Sequence, residues 1–410
     1  MKQLLMVDDD PLLTKAYRER LSAHGFKVNT VGSGSAALTI LQVTRPDLVV
    51  LDLMLPDLSG VEVLKFIRAE PTLKGVPVLL LTNGYMNELG RQAKGLGIER
   101  VLLKSQCTPS LLIQVAEDVL GNSATPAAAP QGPKPAPPLP PAAPPPVTPH
   151  AWAALSLIPT ITQSAADESI RAKAQEHLSE NAAKISADLR KLFEALAAEP
   201  ERGPAQQVRL RDLYRRVHFL VATAGIAGAS QLAQAVSVLE ALLYVLMDNP
   251  ARVNPSVLLT VSNLVAFVGS LLQQPAGSNP GSPATPRVLV VDDDPVTNRL
   301  VVAALSQVQL EAYSTEDPLV AWQWCNRDRF DLVLLDIEMP GLNGLDLCQR
   351  LRSLPDYEKT PVIFVTSHSE FEARAKGSII GANDLIGKPI LPMELAAKVV
   401  MHLMRNQPQA

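Results

Sequence analysis

The chain has 410 residues, which is too long for one ordinary hydrophobic core and predicts about two to four domains. Its formal net charge of -4 provides no basic excess, so nucleic acid is not expected as its main partner. The three scattered cysteines argue against a disulfide framework and favour a reducing, cytoplasmic location. A secretory signal is not expected, because Asp8 interrupts the first apolar run too early.

The first segment, residues 1–121, alternates short apolar runs with helix-length stretches. This alternation predicts a parallel sheet covered by helices on both faces. The stretch "VGSGS" at 31–35 lacks the Gly-Lys-Ser/Thr ending of a phosphate-binding loop, so it predicts a simple strand-to-helix turn. The five strand candidates are Leu4–Val7, Lys27–Val31, Leu48–Leu51, Val76–Leu81 and Val101–Leu103.

A Pro- and Ala-rich stretch at 122–150 predicts a semi-rigid linker, and residues 151–274 then show only helical patterns. Four antiparallel helices predict a four-helix bundle. The last of them carries no charge but has its apolar residues on one stripe, so a bundle helix is favoured over a membrane span. The predicted helices are Ala165–Ala198, Ala205–Ala224, Ala229–Met247 and Pro255–Leu272.

A short Gly-, Ser- and Pro-rich linker at 275–286 leads to a third segment, 287–406, which repeats the strand–helix alternation of the first. It predicts a second doubly wound parallel sheet. Its strand candidates are Val288–Val291, Leu310–Tyr313, Leu332–Leu335, Pro361–Val365 and Asp384–Ile386.

Matching polar residues recur in the first and third segments at one constant offset along the chain. Each copy has an acidic pair after its first strand, an Asp after "LVVL" or "LVLL", a Thr after the fourth strand and a Lys after the fifth. Ligands bind outside the carboxyl ends of the strands in an open parallel sheet, so each set is expected to converge on one pocket. The first set is Asp8, Asp9, Asp52, Thr82 and Lys104, and the second is Asp292, Asp293, Asp336, Thr366 and Lys388.

The three carboxylates of each set repel one another unless a cation neutralises them. Mg²⁺ takes oxygen ligands from carboxylates and phosphate, so the three acids of each copy predict a metal-assisted phosphoryl site. The hydroxyl and the ammonium can hold the remaining phosphoryl oxygens, which places Asp52 and Asp336 as nucleophiles.

Both outer segments resemble the receiver domains of two-component response regulators over their whole length. The resemblance implies a five-stranded, flavodoxin-like fold, of which the chemotaxis receiver is a standard example. It also implies that Asp52 and Asp336 accept phosphoryl groups from phosphohistidine, that the acidic pairs serve Mg²⁺, and that each Thr and Lys binds phosphoryl oxygens.

The two copies depart from the receiver pattern in two ways. Receivers usually follow the Lys with a Pro, commonly through a cis bond; the second copy has Lys388–Pro389 but the first has Lys104–Ser105. Receivers often carry an aromatic residue three positions before the Lys, where this chain has Val101 and Leu385.

The middle segment contains His218 in "RRVHFLVATAGIAG". On a helix His218 shares one face with Arg211, Arg215, Ala222 and Gly225, so the imidazole is expected on an exposed polar stripe that a partner can approach. The stretch resembles histidine phosphotransfer (Hpt) domains, and "GASQLAQAVSVLE" resembles that family's next helix.

The Hpt resemblance implies that His218 is a phosphocarrier. The family pattern has a Lys three residues after the His and a Gly four after it, where this chain has Val221 and Ala222. An inactive bundle or a plain surface histidine therefore stays open as an alternative.

These features predict a cytoplasmic phosphorelay protein of order receiver–phosphotransfer–receiver, with no enzyme domain of its own. Its expected partners are a sensor histidine kinase and other receiver or Hpt proteins, without nucleic-acid binding or membrane insertion; a dimer formed through the receivers is a further alternative. Two other functions stay open: a phosphorylation-switched binding scaffold with an inactive bundle, and a regulator of a separate output enzyme.

Overall fold

The computed structural model describes residues 1–55, 57–82, 93, 95–104, 107–121, 165–199, 203–274, 286–308, 310–366 and 383–406. Nearly all of both predicted linkers, residues 151–164 of the middle segment, and Ser105 lie outside these ranges. By their internal contacts the residues form two compact units. One contains most of the first α/β domain, and the other contains the middle helices together with the second α/β domain.

The first α/β domain is a five-stranded sheet in the order β2-β1-β3-β4-β5. All residues of β3 and β4 are buried, as expected for central strands covered on both faces. All five predicted strands are confirmed, with Asp52 and Thr82 as the last residues of β3 and β4. The strands are β1 Gln3–Val7, β2 Lys27–Val31, β3 Leu48–Asp52, β4 Val78–Thr82 and β5 Arg100–Leu103; the helices are α1 Pro11–Ala23, α2 Gly34–Val43, α3 Gly60–Ala69 and α4 Pro109–Gly121.

The "VGSGS" stretch forms the predicted turn between β2 and α2. The Ser33 side chain accepts a hydrogen bond from the backbone of Ala36 and caps the helix. The Asp57 carboxylate accepts from the backbone N–H groups of Gly34 at 2.8 Å and Ser35 at 3.1 Å. The Ser35 hydroxyl and these backbone donors hold the pKa of Asp57 below its usual range. The α2 N-terminus is therefore satisfied by the chain's own carboxylate.

The described residues of the middle region form four long helices, which confirms each predicted helix to within two residues. Gly203 precedes Pro204 at the start of α6, and Asn254 caps α8 at Pro255, so both helices begin with a proline in the first turn. The helices are α5 Ala165–Ala197, α6 Pro204–Ile226, α7 Ser230–Asp248 and α8 Pro255–Leu272, with a 3₁₀ turn at Pro250–Arg252.

Helices α6 and α7 pack along each other, and α8 packs against α7. Helix α5 reaches α6 through an ion pair between Asp188 and Arg216, whose oxygen and nitrogen are 3.4 Å apart. Among the described helices, α7 and α8 are long and apolar enough to cross a membrane by length and composition. More than half of each is buried inside the molecule, which is typical of core helices. Their closure into a four-helix bundle stays a prediction.

The second α/β domain repeats the first, with a five-stranded sheet in the order β7-β6-β8-β9-β10 and all neighbouring strands parallel. Asp336 and Thr366 are again the last residues of their strands. The strands are β6 Arg287–Val291, β7 Glu311–Thr315, β8 Leu332–Asp336, β9 Val362–Thr366 and β10 Asp384–Gly387; the helices are α9 Pro295–Gln307, α10 Pro318–Cys325, α11 Gly344–Arg352 and α12 Pro392–Arg405.

The last helix of the second domain, α12, packs on α7 and α8 of the middle region. The buried Glu394 carboxylate accepts hydrogen bonds from the hydroxyls of Ser256 at 2.6 Å and Thr260 at 3.1 Å. The Arg405 guanidinium lies 5.2 Å from the ring centre of Phe267, within cation–π range. These contacts join the middle helices and the second domain in one compact unit.

Asp384, at the start of β10, links that strand to α12. Its carboxylate lies 2.8 Å from Lys398 Nζ and 2.9 Å from His402 Nε2. Burial alone would raise the pKa of Asp384, but the hydrogen bonds and charges of His402 and Lys398 outweigh it and lower the pKa from 3.8 to about 2.

A depressed carboxylate pKa contributes stability above the unfolded-state pKa, and this contribution is lost as the pH falls toward the folded-state pKa. We therefore expect Asp384→Asn to lower the free energy of unfolding by about 2 kcal/mol at pH 7 and by much less near pH 2. Denaturant unfolding across this pH range measures the difference. Glu358→Gln, at an exposed position of the same domain, is the matched control. If acid lowers the free energy of unfolding of Asp384→Asn as much as that of wild type, the low pKa of Asp384 is contradicted.

Candidate functional site

The acidic residues of the second domain converge at the carboxyl end of its sheet, as the sequence predicts. Asp292 and Asp293 follow β6, and Asp336 ends β8, which pairs with β6. One carboxylate oxygen from each of the three lies within 4.8 Å of the others. Asp292 is 2% exposed and Asp336 is 4% exposed, whereas Asp293 is open to solvent. Such a set of oxygen donors suits a hard divalent cation.

Lys388 follows β10 and places its ammonium between two of these carboxylates. Its Nζ lies 2.8 Å from Asp336 Oδ2 and 2.9 Å from Asp292 Oδ2. Burial alone would lower the pKa of Lys388, but its hydrogen bonds to Asp336 and Asp292 hold it above the ordinary value. Burial raises the pKa of Asp292 despite the lysine. Among the described residues, the site thus combines three carboxylates with the one ammonium of Lys388, which favours an excess of negative charge.

Backbone groups orient the carboxylates of the second domain. Asp292 Oδ1 accepts from the N–H of Asp294 at 3.0 Å, and Asp336 Oδ1 accepts from the N–H of Glu338 at 3.4 Å. Asp336 pairs with Val365, so the buried Thr366 follows directly at the same edge of the sheet. The Lys388 N–H donates to the Thr366 carbonyl at 2.7 Å, which ties the lysine to the end of β9.

The first domain repeats this local geometry. Asp8 Oδ1 accepts from the Asp10 N–H at 2.9 Å, and Asp52 Oδ1 accepts from the Met54 N–H at 3.0 Å. Carboxylate oxygens of Asp9 and Asp52 lie within 4.8 Å of each other.

The threonine and lysine of the first domain also match the second. The Lys104 N–H donates to the Thr82 carbonyl at 2.8 Å, as Lys388 does to Thr366. Thr82 follows Leu81, the partner of Asp52 in the sheet, and both Thr82 and Lys104 are buried. The polar residues that match between the two domains in sequence therefore also have matching backbone hydrogen bonds and strand positions.

The sequence profile of the family described as "Response regulator receiver domain" matches residues 4–117 and 288–400, which together make up more than half of the chain. The chain belongs to this family. Both α/β domains are receivers, and receiver domains of response regulators act in two-component signalling or phosphorelay. The middle helices lie outside both matched ranges.

Two curated relatives match over about the length of one receiver. The cyclic di-GMP phosphodiesterase response regulator RpfG of Xanthomonas campestris is 35% identical over 113 residues, 27% of this chain and 30% of that protein. The transcriptional regulatory protein BaeR of Escherichia coli is 34% identical over 125 residues, 30% of this chain and 51% of that protein. The chain thus spans about a third to a half of the length of these relatives.

Two solved structures match over about the length of one receiver. The Mn²⁺-bound form of response regulator Rcp1 is 30% identical, with a TM-score of 0.28, and the match covers 31% of this chain and 100% of that one. The phosphorylated cyanobacterial phytochrome response regulator RcpA is 31% identical, with a TM-score of 0.27, and the match covers 30% of this chain and 96% of that one.

The structure also locates the departures from the receiver pattern. The Lys388–Pro389 bond is cis, as the resemblance implied for the second receiver, whereas Ser105 lies outside the described residues. Val101 and Leu385 are half-buried aliphatic residues that pack against the cores of their own receivers.

The structure corrects the expectation for His218. The imidazole was predicted on an exposed stripe, but His218 is only 3% exposed. Its Nδ1 lies 2.5 Å from Oε1 of Glu240 on α7, which is itself 5% exposed. Arg211 and Arg215, two turns and one turn earlier on α6, are exposed as predicted. Replacing the imidazole is therefore expected to cost stability, because it is buried and hydrogen-bonded.

Sequence reasoning missed Glu240 because it considered one face of α6 alone. Glu240 is the final letter of "GASQLAQAVSVLE" and the first charge in α7, in an otherwise apolar run. A buried carboxylate needs a hydrogen-bonding partner. The facing helix α6 supplies that partner, His218. The lone carboxylate among apolar residues of α7 was therefore the signal in the sequence that a buried polar partner exists.

Proposed function

We propose that this protein is a phosphorelay component whose receivers accept phosphoryl groups on Asp52 and Asp336 from phosphohistidine. The observation that carries the proposal is the Lys388 ammonium, which lies within hydrogen-bonding distance of both Asp336 and Asp292 at the carboxyl end of a parallel sheet. A sensor histidine kinase, or another receiver or Hpt protein, is the proposed partner, and the cytoplasm is the proposed location.

Mg²⁺ fits the residues that are present. The three acids of the second receiver offer carboxylate oxygens with more negative charge than Lys388 neutralises. Those that would hold the ion are Asp292, Asp293 and Asp336, with Asp8, Asp9 and Asp52 in the first receiver. Bound Mg²⁺ would supply positive charge that offsets the charge of the phosphoryl oxygens.

The protein's own residues would perform the transfer. A carboxylate oxygen of Asp336 forms a bond to phosphorus as the bond from phosphorus to the donor imidazole nitrogen breaks, and that electron pair returns to the nitrogen. The Lys388 ammonium and the Thr366 hydroxyl would hold the transferred oxygens. Asp52, Lys104 and Thr82 have the same roles in the first receiver.

The metal requirement is tested by labelling with radioactive acetyl phosphate. We expect aspartyl phosphate with Mg²⁺ present and a loss of at least about tenfold in excess EDTA, because uncompensated carboxylates repel the incoming anion. Asp293→Asn should raise the Mg²⁺ concentration needed for half-maximal labelling. Asp356→Asn, at an exposed position just before the start of β9 and so at the opposite edge of the sheet, is the control. Equal labelling with EDTA and with Mg²⁺ would contradict the metal assignment.

We further propose that His218 carries a phosphoryl group between the receivers. Its position within a long helix and the exposed Arg211 and Arg215 earlier on α6 support this role, since arginines favour phosphoryl oxygens. Transfer from a phosphorylated receiver to wild type and to His218→Gln tests it. A base-stable label in wild type that is absent from His218→Gln is the expected result.

A second candidate is a phosphorylation-switched scaffold whose middle helices dock a partner without carrying phosphate. The burial of His218 against Glu240 favours it, because buried polar pairs are commonly structural. The same scaffold could regulate a separate output enzyme. Aspartyl phosphate on both receivers with no base-stable label from any donor would select this second candidate.

A further inference from the structure

One side chain of α9 reaches back from the helix to the ends of β6 and β7. The Asn298 side-chain amide donates from Nδ2 to the Asp292 carbonyl oxygen at 2.6 Å and to the Thr315 carbonyl oxygen at 3.4 Å. Asn298 is only 5% exposed. Asparagine favours caps and turns over helix interiors, and a buried amide costs stability unless it is hydrogen-bonded. These two bonds are therefore what the asparagine contributes at this position.

The two carbonyl groups lie where the hydrogen bonding of the sheet ends. Val291 and Thr315 are the last residues of β6 and β7 and pair with each other. The next N–H, that of Asp292, donates to the Thr315 carbonyl at 3.3 Å. The Asp292 carbonyl, however, comes after the last residue of β6 that pairs with either neighbouring strand. Since a buried carbonyl needs a donor, the Asn298 amide extends the fixation of the backbone by one residue beyond the strand.

Asn298 also holds the acidic loop from its other end. Its backbone N–H donates to the Asp294 carbonyl at 3.0 Å, while its side chain holds the Asp292 carbonyl. Asp293 lies between these two anchored residues and is exposed. An exposed carboxylate has little packing to hold it, so its position depends on the backbone on either side. One residue of α9 thus anchors both ends of the loop 292–294.

The first receiver has a threonine at the matching position. The constant offset that matches the two acidic pairs also matches Thr14 with Asn298. The Thr14 hydroxyl donates to the Asp10 carbonyl, one turn earlier on the chain, at 2.8 Å. A hydroxyl has one hydrogen to donate, whereas a side-chain amide has two. The bond of Thr14 therefore stays at the start of its own helix, and the bridge from helix to strand ends belongs to Asn298.

We infer that Asn298 is a positioning residue for the metal-binding carboxylates of the second receiver. This inference rests on the proposed metal-dependent phosphoryl site. The Asp292 carbonyl and the Asp293 N–H belong to one planar peptide unit, so holding that oxygen fixes the backbone from which both acidic side chains project. Groups that hold metal ligands in place from outside the coordination sphere raise metal affinity, because the ligands lose less freedom when the ion binds.

The test is the binding of Mg²⁺ alone to the full-length protein, measured by isothermal titration calorimetry. Asn298→Thr gives the second receiver the residue of the first, and an Asp52→Asn background weakens the first site so that the second one is titrated. We expect the dissociation constant for Mg²⁺ to rise about tenfold. Asn326→Thr, which removes an exposed side-chain amide bonded to the Trp322 carbonyl at the end of α10, is the matched control and should leave it unchanged.

Hydrogen exchange of the metal-free protein, followed by mass spectrometry, measures the positioning itself. Backbone amides of residues 291–294 should exchange faster in Asn298→Thr than in wild type or Asn326→Thr, because the loop opens more often. Thermal melts verify that each variant is folded. If Asn298→Thr does not fold, Thr14→Asn in an Asp336→Asn background decides: it should lower the dissociation constant of the first receiver, and an unchanged value would overturn the inference.

A folded Asn298→Thr protein with the wild-type dissociation constant, or with wild-type exchange at 291–294, would overturn the inference and leave the metal assignment intact. The absence of Mg²⁺ binding to the second receiver of the wild-type protein is a different result. It would contradict the metal assignment itself, and the positioning role of Asn298 would fall with it.

Discussion

Gly344→Ala should destabilise the second receiver by about 3 kcal/mol or more and remove most phosphoryl transfer to Asp336. A Cβ at this position would lie 2.0 Å from the carbonyl oxygen of Asp336 and 3.0 Å from the Cα of Ile337. Both atoms belong to the backbone, so no side-chain rotation relieves the overlap. The end of β8 must move, and the acceptor carboxylate moves with it. Denaturant unfolding and acetyl phosphate labelling measure the two effects.

Gly60→Ala makes the same test in the first receiver, where the added Cβ would lie 2.0 Å from the carbonyl oxygen of Asp52. Each alanine should therefore affect only its own receiver's aspartyl phosphate. Gly75→Ala, where a Cβ meets nothing within 4 Å, is the control and should leave both receivers unchanged. Equal stability and equal labelling of Gly344→Ala and Gly75→Ala would show that α11 does not lie that close to the end of β8.

Lys388→Met should reduce labelling of Asp336 by at least about 100-fold. It should also destabilise the second receiver by about 3 kcal/mol at neutral pH without divalent metal. The methionine keeps the apolar stem but leaves the buried carboxylates of Asp292 and Asp336 without the ammonium that now lies 2.9 and 2.8 Å from them. Saturating Mg²⁺ should recover part of the lost stability because it supplies a cation to the same oxygens.

Lys388→Arg separates charge from geometry at this position. Arginine keeps the positive charge but has a planar, forked head, so it should retain most of the stability and less of the labelling. Lys359→Met, at an exposed lysine of the same domain, controls for loss of surface charge. Wild-type labelling of Asp336 in Lys388→Met would show that this lysine plays no part in the acceptor site.

Much of the receiver architecture could be predicted because its signals are local and repeated. Short, mainly apolar runs of three to six residues between helical stretches located all ten strands, since central parallel strands are buried on both faces. The acidic residues could be assigned to one edge of the sheet because the carboxyl ends of parallel strands share that edge. The ammonium contacts of Lys388 depend on the path of the chain beyond β10, which no local pattern specifies.

The middle region shows where such reasoning stops. Helix positions followed from proline and glycine boundaries, but the exposure of His218 depended on what faced α6. That information lies in α7, where one carboxylate in an apolar run requires a buried partner. Likewise, the docking of α12 through Glu394 on Ser256 and Thr260 joins residues far apart in the chain, with no periodicity to signal it.

The central claim is that the chain carries two independent aspartyl phosphoryl acceptors. The most direct test is base-labile phosphate after labelling with acetyl phosphate and Mg²⁺ in wild type, Asp52→Asn, Asp336→Asn and the double variant, with each protein's fold verified by a thermal melt. Each single variant should keep one labelled receiver, located by proteolysis to the opposite end of the chain, and the double variant should keep none. Undiminished base-labile label in the double variant, or its complete loss in either folded single variant, would contradict the claim.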